Sequence, residues 1–414
     1  MAENRKESKN INIKTHNDMK KSVCIYFQIH HPERLRKYHF FDIGKKHNYF
    51  DNYANRSELE ELAENCYLPA NALLLDLIKK YNGKFKVAFS ISGSAIDQLN
   101  MHTPEVIRSF QELAETGNVE FLAETYSHSL ASLSEDSDEF EQQVKRHVNV
   151  VKSLFGKKPV TFRNTSLIYS DKIGERVAKL GFKTMLTDGA KHVLGWKSPN
   201  FVYKNPVDEN LNLLLKNSKL SDDIAIRFSN TQWGEYPLTS EKYASWVKHS
   251  LAETDVLNLF MNYEVIGYYN RKESGIFDFL EYFVKNMMED DDYQFLLPKE
   301  VVKKHSAKDV LPVPFPISWT DEERDITSWL GNELQKEAFN QLFRIQSIVK
   351  KKKNAELSDD YGRLQASEHF YHMRTKLFST SDYHKYFTPY DSPYEAFINY
   401  MNILSDFEVR LEGK

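Results

Sequence analysis

Cysteine is nearly missing from this chain: Cys24 and Cys66 are the two present among 414 residues. Cys24 falls in an apolar, strand-like run and Cys66 in a helical one. Two buried free thiols are therefore expected rather than a bridge, and nothing asks for an oxidising compartment. Long apolar runs are missing as well, since none approaches the ~18 residues that would span a bilayer. Residues 1–20 are polar and rich in lysine and asparagine, without the apolar stretch of a secretory signal. A disordered tail and a cytoplasmic location are expected. There is no fixed-period repeat and no low-complexity linker. Charge of one sign is also scarce: 55 Lys and Arg against 59 Asp and Glu leave −4. That balance gives no pull toward nucleic acid or an anionic membrane, and neither is expected as a partner.

What is present describes a large globular protein. The length allows one large domain and a smaller one. Hydrophobic residues at 41% and charged residues at 28% are ordinary for such a chain. Aromatics reach 13%, which fits a well-filled core or sugar-stacking platforms, and composition alone favours the core. Seven strand-like segments, at 23–29, 85–91, 119–122, 160–163, 183–187, 211–215 and 256–262, alternate with helical spacing. Such alternation predicts parallel βαβ units, expected over residues 21–300. From residue 301 to 414 the pattern turns helical, with helices expected at 331–351, 359–378 and 394–406. Ser392 and Pro393 form a start signal for the last of these, and Thr103 before Pro104 reads as another cap.

Polar residues gather just past the strand ends, where the mouth of an α/β barrel does its chemistry. FQIHHPERL (27–35) offers His30, and GNVEFLAETYSHSL (117–130) offers Glu124 and His128. FRNTSLIYSD (162–171) offers Arg163 and Ser166. Asp188 follows the fifth strand. LFMNYEVIGYY (259–269) offers Asn262 and Glu264. Trp233, Trp319 and Asp321 lie in later loops, and SEHFYHMRTK (367–376) adds Glu368, His369 and Tyr371. Each histidine and tryptophan reads equally as a satisfied core residue, and Glu124 as a helix cap.

These five stretches, in this order, resemble the signatures of glycoside hydrolase family 57, in its α-amylase branch, over roughly residues 22–405. The resemblance implies an incomplete seven-stranded (β/α)7 barrel followed by a C-terminal α-helical bundle that completes the cleft. It also implies that Ser166 stands where the family has its glutamate nucleophile, and Asn262 where it has its aspartate acid/base. Retaining glycosidases need both carboxylates, roughly 5–5.5 Å apart. Serine is not a carboxylate, and asparagine has no titratable proton near neutral pH. The expectation is a member without an intact catalytic residue that binds α-glucan or maltooligosaccharide, with a carbohydrate-active enzyme as a further partner. Binding would fall to His30, Glu124, His128, Arg163, Asp188, Trp233, Glu264, Trp319, Asp321 and His369. Without its glutamate neighbour, Arg163 is expected to pair with Asp188 or Glu264. The alternative is an altered hydrolase using another pair, such as Glu264 with Asp188. A metal-dependent deacetylase site at His30, His31 and His128 lacks the paired aspartates and histidine spacing such sites need, so no metal or other cofactor is expected.

Overall fold

The register of the first strand, β1 (Lys21–Ile29), sets the plan of the molecule. Val23, Ile25, Phe27 and Ile29 face outward into a helical layer. Cys24 and Tyr26 alternate with them and meet residues of other strands, such as Ala88, Leu186, Leu214 and Phe260, in a separate cluster. Side chains from so many strands can meet only inside a closed ring. This computed structural model describes residues 20–134, 138–376 and 388–413. Apart from Lys20, the tail expected over 1–20 lies outside them.

The remaining strands are β2 (Val87–Ile91), β3 (Val119–Phe121), β4 (Thr161–Arg163), β5 (Thr184–Asp188), β6 (Val202–Lys204), β7 (Asn212–Lys216), β8 (Val256–Asn262), β9 (Tyr293–Phe295) and β10 (Asp309–Val310). Parallel pairing runs β8-β1-β2-β3 in one sheet and β4-β5-β7 in the other. Two seams join the sheets. At the first, the Ala123 amide donates to the Thr161 carbonyl at 3.0 Å, and the Arg163 amide to the Ala123 carbonyl at 2.8 Å. At the second, the Asn217 amide donates to the Asn258 carbonyl at 2.9 Å, and Asn258 Nδ2 to the Leu215 carbonyl at 2.9 Å. Seven parallel strands thus make an incomplete (β/α)7 barrel, pinned rather than laddered between β7 and β8.

Three short strands lie outside the expected seven. β6 runs antiparallel to β7, β10 pairs with β6, and β9 pairs with the first residues of β1. After the barrel come helices Glu333–Lys352, Ala355–Leu364, Ser367–Tyr371 and Pro393–Glu412. They share a core with Phe162, Met185 and Leu213 on the outer faces of β4, β5 and β7. The single helix expected over 359–378 is instead two, and residues 377–378 lie outside the described part. The break has a cause: Ala366 pairs as an isolated bridge with Ser129, and the Ser367 amide donates to the His128 carbonyl at 3.1 Å. Extended backbone there cannot also be helical. Ser392 caps its helix as expected, accepting from the Glu395 amide at 3.1 Å. Thr103 occupies a cap position without making the bond.

Candidate functional site

Alternation along each strand decides which side chain reaches the rim. On β8, Leu257, Leu259 and Met261 face the helices while Phe260 faces inward, so Asn262 also faces inward at the strand's last position. The same register puts Gln28 inward on β1, Arg163 on β4, Asp188 on β5 and Lys216 on β7. Gln28, Arg163, Lys216, Asp222, Asn262 and Trp319 line a pocket floored by Tyr26 and Phe260.

Ser166 lies in the turn that leaves β4. Ser166 and Leu167 both take left-handed backbone, with φ of 51° and 54°. Two consecutive non-glycine residues there are costly and need fixing from outside. Asn164 supplies it by donating to Ser132 Oγ at 2.8 Å and to the Ile168 carbonyl at 2.9 Å. The turn carries Leu167 into the barrel interior. It also holds the Ser166 carbonyl 3.3 Å from the Trp319 amide, which brings the Trp319 loop over the pocket. The Lys216 ammonium sits 5.0 Å from the Trp319 ring centre and 2.8 Å from Asp222 Oδ1.

Beside the pocket, and sharing Gln28 and Arg163 with it, lies a buried polar network. Glu124 Oε2 is 3.0 Å from His128 Nδ1, 3.3 Å from Gln28 Nε2 and 3.6 Å from Arg163. Glu124 is fully buried and Arg163 is 4% exposed. Burial pushes the Glu124 carboxyl upward, but the His128 hydrogen bond and the Arg163 charge outweigh it and hold it well below the usual range. Burial, with the neighbouring His30, pushes His128 down, so its ring is neutral at pH 7. His30 stacks on His128 with ring centres 4.1 Å apart. Its Nδ1 is 2.7 Å from Ser92 Oγ, and its Nε2 is 3.1 Å from Glu368 Oε2. Glu368 is held far down against its burial by His30. A residue of the C-terminal helices thus completes the rim of the barrel.

Other expected positions go elsewhere. Arg163 pairs with Glu124, and neither Asp188 nor Glu264 takes that role. Glu124 lies beside Arg163, whereas the inward-facing Asp188 meets Ser218 Oγ at 2.9 Å and Arg324 at 3.9 Å. Burial raises Asp188 against the pull of Arg324 and Lys216. Glu264 turns toward the helical layer and accepts from Tyr67 OH at 2.7 Å. Burial lifts it to about 7. Asp321 accepts from Ser328 Oγ, with Arg374 4.0 Å away. His369 packs 5.4 Å from the Tyr400 ring, its Nε2 3.3 Å from the Arg363 carbonyl. It faces the bundle because it sits beside Glu368 on one short helix, about 100° around the axis. Tyr371 likewise packs among the helices, against Trp329. Trp233 lines a different cleft from the pocket. His31 bonds to Gln98 away from the mouth. Among the described residues no group of three or more His, Cys, Asp or Glu is placed to hold a metal ion.

Gln28, Lys216 and Asp222 did not stand out in the sequence. Gln28, one residue before the end of β1, and Lys216, the last of β7, follow apolar runs in the inward register, and that signal would have found them.

The sequence pattern of glycosyl hydrolase family 57 matches residues 24–314. A Methanocaldococcus jannaschii protein named "Putative alpha-amylase" is 38% identical over 401 residues, covering 93% of this chain and 84% of that protein. Among solved structures, an α-amylase from Thermotoga maritima superposes with a TM-score of 0.64 at 12% identity, covering 95% of this chain and 94% of its own. A branching enzyme from Thermococcus kodakaraensis gives 0.66 at 12% identity, covering 85% and 86%. A 4-α-glucanotransferase from Thermococcus litoralis gives 0.64 at 13% identity; this chain is covered over 86% and spans 56% of that enzyme's length. At such identities the likeness is one of fold. No helix among the described residues is long and apolar enough to cross a membrane.

Proposed function

The chain belongs to glycoside hydrolase family 57, and from that premise we propose that it is an amylase-like member that holds an α-glucan or maltooligosaccharide without cleaving it. On this reading Ser166 and Asn262 occupy the places of the nucleophile and the acid/base. Serine needs a base to ionise and would leave poorly from a sugar ether. Asparagine cannot protonate a leaving oxygen, a step worth roughly 10²–10⁴ in rate. Losing the nucleophile closes the covalent route as well.

One observation carries the reading. Among the described residues the only carboxylate lining the pocket is Asp222, and its oxygens are taken by Lys216 at 2.8 Å and Arg324 at 3.5 Å. Glu124, Asp188, Glu264 and Asp321 do not line it, and each has its own partner. What remains is the equipment of binding: amides at Gln28 and Asn262, cations at Arg163 and Lys216, and the indole of Trp319. Such groups hydrogen-bond and stack on sugar rings without moving a proton. The protein would then act in the cytoplasm, beside a working enzyme on the same glucan.

The test compares wild type with the Ser166→Glu, Asn262→Asp double variant on maltoheptaose and amylopectin. Wild type is expected to bind by calorimetry and release no reducing sugar, and the double variant to hydrolyse. Wild-type hydrolysis abolished by Glu264→Gln or Asp188→Asn would replace this reading with that of an altered hydrolase.

A further inference from the structure

A second and larger hollow lies beside the pocket. It runs between the loop after β5, the segment after β7 and helix Ser240–Leu251, and has a volume of about 1700 Å³. Small-molecule sites reach only ~1,000 Å³, so this cleft has room for a length of polymer. Its lining is aromatic and polar together. Trp233 and Trp246 meet edge to face, ring centres 6.2 Å apart, and both are partly exposed. Trp196, 93% exposed, stands at the rim between the lining residues Gly195 and Lys197. Three of the chain's five tryptophans are thus gathered around one cleft.

Charge narrows the occupant. Five Lys or Arg and four Asp or Glu line the cleft, and several are already tied together, Arg227 to Asp223 at 2.7 Å among them. A phosphate polymer needs an unbalanced cationic track, which is not there. Indole faces among hydrogen-bonding groups of both signs suit a neutral, hydroxyl-rich chain. The cleft also adjoins the pocket. Arg324 lines the cleft and reaches Asp222 of the pocket at 3.5 Å, and the next residue, Asp223, lines the cleft.

We infer that this cleft is a second glucan-holding surface, which takes the continuing chain of a polysaccharide whose end occupies the pocket. The inference rests on the binding function proposed above. It distinguishes two ligands that the pocket alone would treat alike. Maltotriose should be held by the pocket, while amylopectin should use both surfaces.

Two perturbations test it. Trp246→Ala removes one indole, with thermal melting as the check on folding. Ser245→Cys carrying a bulky maleimide blocks the cleft from an exposed lining position, since both native thiols are buried. Each is expected to weaken amylopectin binding ~10-fold, the worth of one stacking contact, and to leave maltotriose affinity unchanged. Unchanged amylopectin affinity in the folded, labelled protein overturns the inference, as does an equal loss for both probes. If wild type binds neither probe, the binding function itself has failed, and this surface with it.

Discussion

Replacing Glu124 with glutamine should cost the protein more stability than its one lost charge suggests. The substitution keeps size and shape but leaves the Arg163 guanidinium, 4% exposed, without a carboxylate. At 3.6 Å the pair attracts by about 4–5 kcal/mol at an effective dielectric near 20. Removing one partner of a buried pair typically costs about 3–5 kcal/mol, because the other charge stays buried. Arg163 Nε already has no hydrogen-bond partner, so little else is at hand to compensate. A loss of ~3 kcal/mol or more is expected for Glu124→Gln in urea unfolding at pH 7. Arg163→Met should cost a comparable amount, and the double variant should cost clearly less than the sum of the two. A loss under ~1 kcal/mol for Glu124→Gln, or additive losses in the cycle, would refute the reasoning.

Two further outcomes follow from particular residues. Gly267 has φ +99°, and a Cβ there would lie 2.1 Å from the Asn65 carbonyl oxygen. Gly267→Ala should therefore lower the chemical-denaturation free energy by ~3 kcal/mol, and a near-neutral result would contradict the described approach of these segments. His369 is held down to about 4 by its burial, so the folded protein keeps this ring neutral while the unfolded chain protonates it near 6.5. The stability that depends on a neutral ring is fully present above pH 6.5 and is lost as pH falls toward 4. This one group should contribute a drop of about 3 kcal/mol between pH 7 and 4. His369→Phe should show a shallower fall over that window in urea midpoints taken at several pH values, and an unchanged slope would show that the ring does not stay neutral.

Much of the barrel could be read from the chain because period-two alternation and helical spacing are local properties. Each of the seven expected segments overlaps a parallel strand of the ring. The three additional strands, two or three residues long, pair at the margins of the ring and were not expected. The break at Ala366 escaped notice for a different reason. It is imposed by pairing with Ser129, more than two hundred residues away in sequence. Electrostatic partners were the least legible. Arg163 was expected to turn to Asp188 or Glu264, but Ser218 and Arg324 hold Asp188, Tyr67 holds Glu264, and Glu124 lies beside Arg163. Adjacent residues on one short helix, Glu368 and His369, go to opposite tasks because a single step rotates a side chain out of the rim.

The contact between His30 and Glu368 also constrains how the protein comes into being. The two residues are 338 positions apart. At ~5–20 residues per second, a ribosome needs roughly 17–70 s to travel from one to the other. Throughout that interval the emerging ring carries an unfinished edge, with His30 lacking its carboxylate. The nascent chain cannot complete the rim of its barrel before the helix bearing Glu368 has emerged, so the closing of the mouth is tied to the late stages of synthesis.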